Sequence, residues 1–400
     1  MDNFNKYSAQ TDAYNRKAAF FRAISRQPPF ELPSREMGEG YLIGYGVNRR
    51  PVAIRNLTEH MLVIGGTGAG KTVSQASFVI RNMRWIKFLI LDRVKNDYRN
   101  LRRHLPNVRV HSYPLGTFRD NFLQPPSGLS DHEWDSIFCD VFSQQLQMVS
   151  GAGTSLYLYQ SIRELKKLVQ PRIPSLIDLY EFIRAKKERP FSENFRYQER
   201  ILNRLAALIE DYGSVADCSE GYSCEDMQDE RFNDVIELPM KPDSASLASE
   251  VLIFKNLRYR MKLPLEKRRK PLCFVIDEAK CIVGAEKAHV RYTGSMDNLS
   301  ILISTSREFG VSFIFSDQTS SLHPTVFEIC SSQALFRANA EITLRMSKSM
   351  GLSREQIDWL ITKGLTVGQC IFKTPGFPAV LVNIPFFEFQ KDVTDEEIRF

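Results

Sequence analysis

His60-Met61-Leu62-Val63-Ile64, followed without a break by Gly65-Gly66-Thr67-Gly68-Ala69-Gly70-Lys71-Thr72, is the stretch whose reading decides the fold. A short apolar run bounded this sharply predicts a strand buried on both faces, as in a parallel sheet. The loop after it has the form G-x-x-x-x-G-K-[ST]. Its glycines let successive backbone N–H groups turn inward around a polyphosphate, and Lys71, expected to be exposed in the loop, supplies a point charge for the β and γ phosphates. The Thr72 hydroxyl can ligate Mg²⁺. The residues beyond, VSQASFVIRNMRW, have the composition of a helix whose N-terminus favours an anion. A glycine-rich turn arising by chance has no reason to agree at every fixed position between a strand and a helix. Residues 65–72 are therefore expected to bind a nucleoside triphosphate.

A chain of 400 residues with 43% hydrophobic and 25% charged residues has globular composition and room for two or three domains. The net charge of +6 permits a nucleic-acid partner without demanding one. Seven scattered cysteines, an odd number, fit a reducing compartment better than a disulfide framework. Cys218 and Cys224 are the closest pair, and no second pair with zinc-ligand spacing joins them. No apolar run reaches the length of a membrane span, and the first residues, MDNFNKYSAQTD, do not form a signal peptide. A soluble, cytoplasmic protein is expected.

Working outward, residues 1–40 read as a helix or ordered arm closed by a proline-rich break, and 41–55 as a β-hairpin around Asn48-Arg49-Arg50. Residues 87–92 form a second buried strand. The following RVKNDY places Lys95 and Asp97 at its carboxyl end, where open α/β sheets bind ligands. A short strand at 108–110 and a proline-punctuated exit at 121–126 come next. From 130 to 261 the apolar residues recur at helical spacing, with breaks at 151–153, Pro171, Pro174 and Pro190. This predicts an inserted all-α subdomain, with an acidic exposed loop from Cys218 and a helix over 244–261 returning to the sheet.

The second decisive run is Pro271-Leu272-Cys273-Phe274-Val275-Ile276-Asp277-Glu278. A buried strand ending in two acids gives Asp277 to hold Mg²⁺ through water and Glu278 to orient and deprotonate an attacking water. A glutamate beside the magnesium aspartate also resembles the pattern of the P-loop ATPases that have an additional central strand, and this resemblance implies such a strand here. That strand is expected at 311–316, ending at Asp317-Gln318, with Gln318 as a polar sensor of the γ-phosphate. Arg307, at the end of the preceding helix, could stabilise transition-state charge or pair structurally. Residues 341–346 read as a further strand carrying Arg345. A helix over LSREQIDWLITKGL, a terminal hairpin over CIFKTPGFPAVLVNIP and a charged tail complete the chain.

Taken together, EHMLVIGGTGAGKT, LILDRVKNDY, NFLQPP, PLCFVIDEA and STSREFGVSFIFSDQT resemble the HerA/FtsK superfamily of motor ATPases. They are also similar to the cytosolic part of type IV secretion coupling proteins. The resemblance covers somewhat over half of the chain. It implies an α/β, RecA-like core at 58–129 and 262–385, preceded by the arm and hairpin (1–57), interrupted by the helical insertion (130–261) and followed by the tail (386–400). It further implies ATP as the nucleotide, a homo-hexameric ring, and duplex DNA or another polymer moved through the channel. One subunit would supply Lys71, Thr72, Asp277 and Glu278. Its neighbour would supply an arginine, with Arg345 slightly favoured over Arg307 by family position. The family's proline and glycine after the second strand are replaced here by Arg93-Val94 and Asn96, so only Asp92, Lys95 and Asp97 of that loop survive. The N-terminal barrel, membrane segments and C-terminal winged helix of particular relatives have no counterpart in these 400 residues. A different class of function is an ATP-dependent switch whose helical insertion docks a partner protein, such as a nuclease, without moving DNA. A nucleotide kinase is disfavoured by the Asp277-Glu278 pair, Gln318 and the size of the insertion.

Overall fold

The computed structural model describes residues 28–56, 59–145, 151–283, 303–319, 321–385, 388 and 392–399. Most of the N-terminal arm and part of the C-terminal tail expected from the sequence lie outside the described residues. In chain order the strands are β1 (Tyr41–Gly46), β2 (Pro51–Ile54), β3 (Met61–Ile64), β4 (Lys87–Asp92), β5 (Val108–Ser112), β6 (Asn233–Glu237), β7 (Leu272–Ile276), β8 (Val311–Asp317), β9 (Ser332–Phe336), β10 (Gln369–Lys373) and β11 (Val380–Asn383). They form one sheet in the order β2-β1-β11-β10-β9-β3-β8-β7-β4-β6-β5. The run from β9 to β5 is parallel throughout. The hairpin β1–β2 and the terminal hairpin β10–β11 extend it as antiparallel strands. The strand β3 lies at the centre, and β8 is inserted between β3 and β7, where the additional central strand is expected.

Alternation along β3 divides the core. Met61 and Val63 join Ala76, Phe78 and Val79 of α1 (Lys71–Asn82) on one face. Leu62 and Ile64 join Leu247 and Val251 of α6 (Pro242–Lys262) on the other. That second face also carries α2 (Asp131–Gln145), α3 (Gly151–Val169), α4 (Leu176–Ala185) and α5 (Glu193–Tyr212). These helices start where side chains satisfy their free N–H groups. Ser175 and Asp178 form a reciprocal capping box on α4, and Ser192 accepts the Phe195 N–H of α5. No described helix is long and apolar enough to cross a membrane.

The structure corrects two sequence expectations. Residues 341–346 are helical, inside α7 (Ala340–Met350), which Asn339 caps and Gly351 ends in the left-handed region. The strand in that part of the chain is β9, just before it. The segment 130–261 is also not wholly helical: β6 lies inside it and pairs with both β4 and β5. Its polar Asn233, Asp234 and Glu237 make this strand look like a solvated acidic loop in the sequence, yet all three are buried.

Their partners come from far along the chain. Asp234, wholly buried, is bonded to Lys87 and to Arg109 (2.7 Å), with His111 Nε2 at 2.9 Å. Glu237 accepts two 2.6 Å bonds from Arg99, which also reaches Asp395 of the C-terminal segment at 2.6 Å. Burial alone would raise the Asp234 pKa. The His111 hydrogen bond and the Lys87 and Arg109 charges outweigh it and hold the carboxyl below its ordinary range. A depressed folded-state pKa means the stabilisation is complete above the unfolded value of about 4 and fades only as pH falls below it. Asp234→Asn leaves Lys87 buried beside a neutral partner, and a loss of about 3–5 kcal/mol is expected in urea unfolding at pH 7. The gap between variant and wild type should shrink at pH 3. A gap independent of pH would contradict the paired-carboxylate account.

Candidate nucleotide site

The carboxyl ends of β3, β8 and β7 meet at one place, and the loop after β3 is fastened from both sides. The Gly65 N–H donates to the Asp317 carbonyl (3.3 Å) at the end of β8, and the Gly66 N–H to the Arg337 carbonyl (2.8 Å) just past β9. Two positions need glycine for their conformation. Gly68 has φ +69°, and Gly70, the N-cap of α1, has φ +92°. Gly65 is needed for space, since an added Cβ would stand 2.6 Å from Phe336 Cβ. The Ala69 N–H closes the loop onto the Gly66 carbonyl at 3.3 Å.

The sequence reading takes Lys71 as exposed, but it is buried. Its ammonium donates to the carbonyls of Gly65 (2.5 Å) and Gly66 (3.1 Å). Burial lowers its pKa, while Asp277, Asp317 and Glu278 oppose that shift, so the lysine and the three carboxylates share one field. The Thr67 hydroxyl donates to Gln318 Oε1 (2.6 Å), and Gln318 Nε2 donates to Glu278 Oε1 (3.3 Å). One side chain thus bridges the phosphate loop and the second acid of the Asp277-Glu278 pair.

Glu278 itself has φ +53°, a costly conformation for a residue with a Cβ. Its N–H bonds Asp277 Oδ1 (3.1 Å), the Ala279 N–H bonds the Ser316 carbonyl (2.9 Å), and the Cys281 N–H returns to the Glu278 carbonyl (3.2 Å). Burial raises the Asp277 pKa against the Glu278 N–H bond and the Lys71 charge. Asp92 follows Leu91, the partner of Ile276, and so stands beside Asp277. Burial pushes it up to about 7 despite the Tyr98 N–H bond, and the nearby carboxylates of Asp277 and Glu237 add to the shift.

All-oxygen donors suit Mg²⁺. The Thr72 hydroxyl, in the first turn of α1, and the half-buried Asp277 carboxylate fit that ion and would hold it. Asp317, although adjacent, is committed elsewhere. It accepts the Lys280 N–H (2.7 Å), the Thr319 N–H (2.8 Å) and the Thr319 hydroxyl (3.0 Å). Residues 65–72, Asp277, Glu278 and Gln318 are therefore brought together, and the two arginines are not. Arg307 precedes β8, so the strand's full seven residues separate it from Gln318, and its guanidinium donates to the Ile329 carbonyl. Arg345 is exposed on α7, 5.1 Å from the Phe327 ring centre, and the strand assumed for it does not exist. Sequence reasoning missed Arg337, whose Nη2 lies 3.5 Å from the Gly68 carbonyl. Placing β9 correctly would have put it next to the loop.

No curated protein sequence matches the chain. Among solved structures, VirB4 of Thermoanaerobacter pseudethanolicus superposes with a TM-score of 0.67 at 16% identity, covering 90% of this chain and 99% of that one. The bacterial conjugative coupling protein TrwB superposes with a TM-score of 0.66 at 13% identity, covering 91% and 97%. TrwB in complex with ADP and Mg²⁺ gives 0.65 at 14%, covering 92% and 98%. At these identities the likeness shows a shared fold, the large, mostly parallel sheet flanked by helices of a P-loop NTPase. Residues 40–251, more than half of the chain, match the family described as the central domain of helicase HerA, and the chain belongs to that family, within the HerA/FtsK type of P-loop ATPases.

Proposed function

We propose that the chain is an ATP-hydrolysing ring motor that translocates double-stranded DNA, working as a homo-hexamer with ATP at the subunit boundaries. The observation that carries this reading is the bridge from Thr67 through Gln318 to Glu278, which sets a sensor between the phosphate loop and the base. Lys71 leaves the loop carbonyls to contact the β and γ phosphates. Thr72 and Asp277 would hold Mg²⁺, which when bound would supply charge neutralisation on the phosphates. Glu278 orients the attacking water and accepts its proton, and Gln318 registers the γ-phosphate. Phosphoryl transfer needs little beyond such positioning and charge. Arg307, at the opposite end of β8 from this site, suits action on a neighbour's nucleotide, with Arg345 as the other candidate. TrwB, named as a conjugative coupling protein and solved with ADP and Mg²⁺, supports both the nucleotide and the setting.

A second reading, a switch that gates a partner protein, draws on the apolar side chains exposed on the helical segment: Leu156, Leu168 and Phe191. ATPase assays with and without duplex DNA separate the two. The motor is expected to bind duplex at low salt, lose that binding steeply as salt rises, and hydrolyse ATP faster with DNA present. No binding at low salt together with an unchanged rate removes translocation and favours the switch.

A further inference from the structure

Arg93 stands where the sequence departs from its family, and its surroundings give it work. It follows β4 directly and is only 4% exposed. A guanidinium stays charged at any physiological pH and is costly to bury without partners. Here Nη2 donates to the Pro242 carbonyl and to Ser246 Oγ, both at 3.1 Å, in the first turn of α6. Nε and Nη1 have no hydrogen-bond partner among the described residues. The single Ser246 hydroxyl proton is shared between the Cys281 carbonyl (2.8 Å) and the Pro242 carbonyl of its own helix (2.7 Å). Cys281 belongs to the short turn that closes back on the Glu278 carbonyl and holds that residue at positive φ. The carboxylates of Glu278 and Glu250 act on the Arg93 charge, after the Cys281 thiol, and partly offset its desolvation.

We propose that Arg93 and Ser246 are positioning residues for Glu278, fixing its strained turn to the first turn of α6 so that movement of the helical segment reaches the hydrolytic water. This rests on the reading of Glu278 as the base. The geometry favours a link over passive filler. Ser246 bridges the Cys281 carbonyl to the start of α6, so a shift of α6 moves the proton it shares with Pro242 and changes the hold on the turn carrying Glu278. Arg93 Nε and Nη1, without a hydrogen-bond partner among the described residues, leave it able to exchange partners as that turn moves. Among the described residues neither Arg93 nor Ser246 is hydrogen-bonded to the phosphate loop, so nucleotide affinity should be indifferent to both.

The test compares Arg93→Met, Arg93→Lys and Ser246→Ala with the wild-type protein, alone and combined with Glu278→Gln. Arg93→Met is expected to lower kcat about tenfold, with KM and affinity for a fluorescent ATP analogue changed less than about twofold. Arg93→Lys should recover part of the loss, and Ser246→Ala should lower kcat in the same direction. In the Glu278→Gln background none of the three should lower the residual single-turnover rate further, because a residue acting through Glu278 has nothing left to act on. Losses that multiply in that background, or wild-type kcat in Arg93→Met, overturn the proposal while the base assignment stands. If Arg93→Met does not fold, Ser246→Ala and Arg93→Lys decide by the same criterion. Near-normal hydrolysis by Glu278→Gln alone refutes the base assignment and takes this inference with it.

Discussion

Glu278→Gln is expected to lower ATP turnover by about 10²–10⁴-fold while ATP still binds, the range a positioned general base contributes. The amide keeps the size of the side chain and can still pair with Gln318, so the bridge to Thr67 has no reason to break. What disappears is a group able to take a proton from water. Binding of a fluorescent ATP analogue should therefore match the wild type within about twofold. Loss of binding along with turnover would mean that Glu278 holds the site together rather than doing chemistry in it. The backbone gives a reason to separate the two. Glu278 has φ +53°, and asparagine or glycine would fit that conformation more easily than glutamate. A strained glutamate at that point is consistent with selection for its carboxylate.

Lys71→Ala is the second large effect, a loss of about 10²–10³-fold or more in hydrolysis, as when one preorganised charge donor is removed from a transition state. Lys71 is buried and bonded to the Gly65 and Gly66 carbonyls, a setting in which losing a side chain often harms the fold. Here the fold should suffer little. Both carbonyls belong to a loop tied independently by Asp317 and Arg337, and removing the lysine also removes the cost of burying its charge. A change in Tm of no more than a few degrees is expected for a chain of this size. Unfolding of the variant would show that the ammonium is a structural clamp and that its swing to a phosphate is not available.

Much of the site was legible in the sequence because its parts are local. A glycine pattern, a lysine and a strand ending in two acids each announce themselves within eight residues. The inserted strand β8 followed from the likeness of the acidic pair to that of the P-loop ATPases with an additional central strand. What failed depends on partners far along the chain. The strand β6 looks like loop because its Asn233, Asp234 and Glu237 are polar, and the Phe88 N–H, Lys87, Arg109, His111 and Arg99 make them fit for burial. The error at 341–346 was avoidable. Ile342, Met346 and Met350 recur every four residues, Asn339 is a strong cap and Gly351 a strong stop. Reading the alternation in EITLRM instead put Arg345 on a strand and hid both β9 and Arg337. Lys71 was misjudged for a different reason: a loop lysine's burial depends on where it rests, which spacing cannot say.

The measurement that bears most directly on all of this is a structure of the Glu278→Gln variant with ATP and Mg²⁺. The γ-phosphate should lie between the Lys71 ammonium and residue 278, with the metal on the Thr72 and Asp277 side and Gln318 turned toward the phosphate. A triphosphate bound away from Lys71, or a γ-phosphate out of reach of residue 278, would contradict the account.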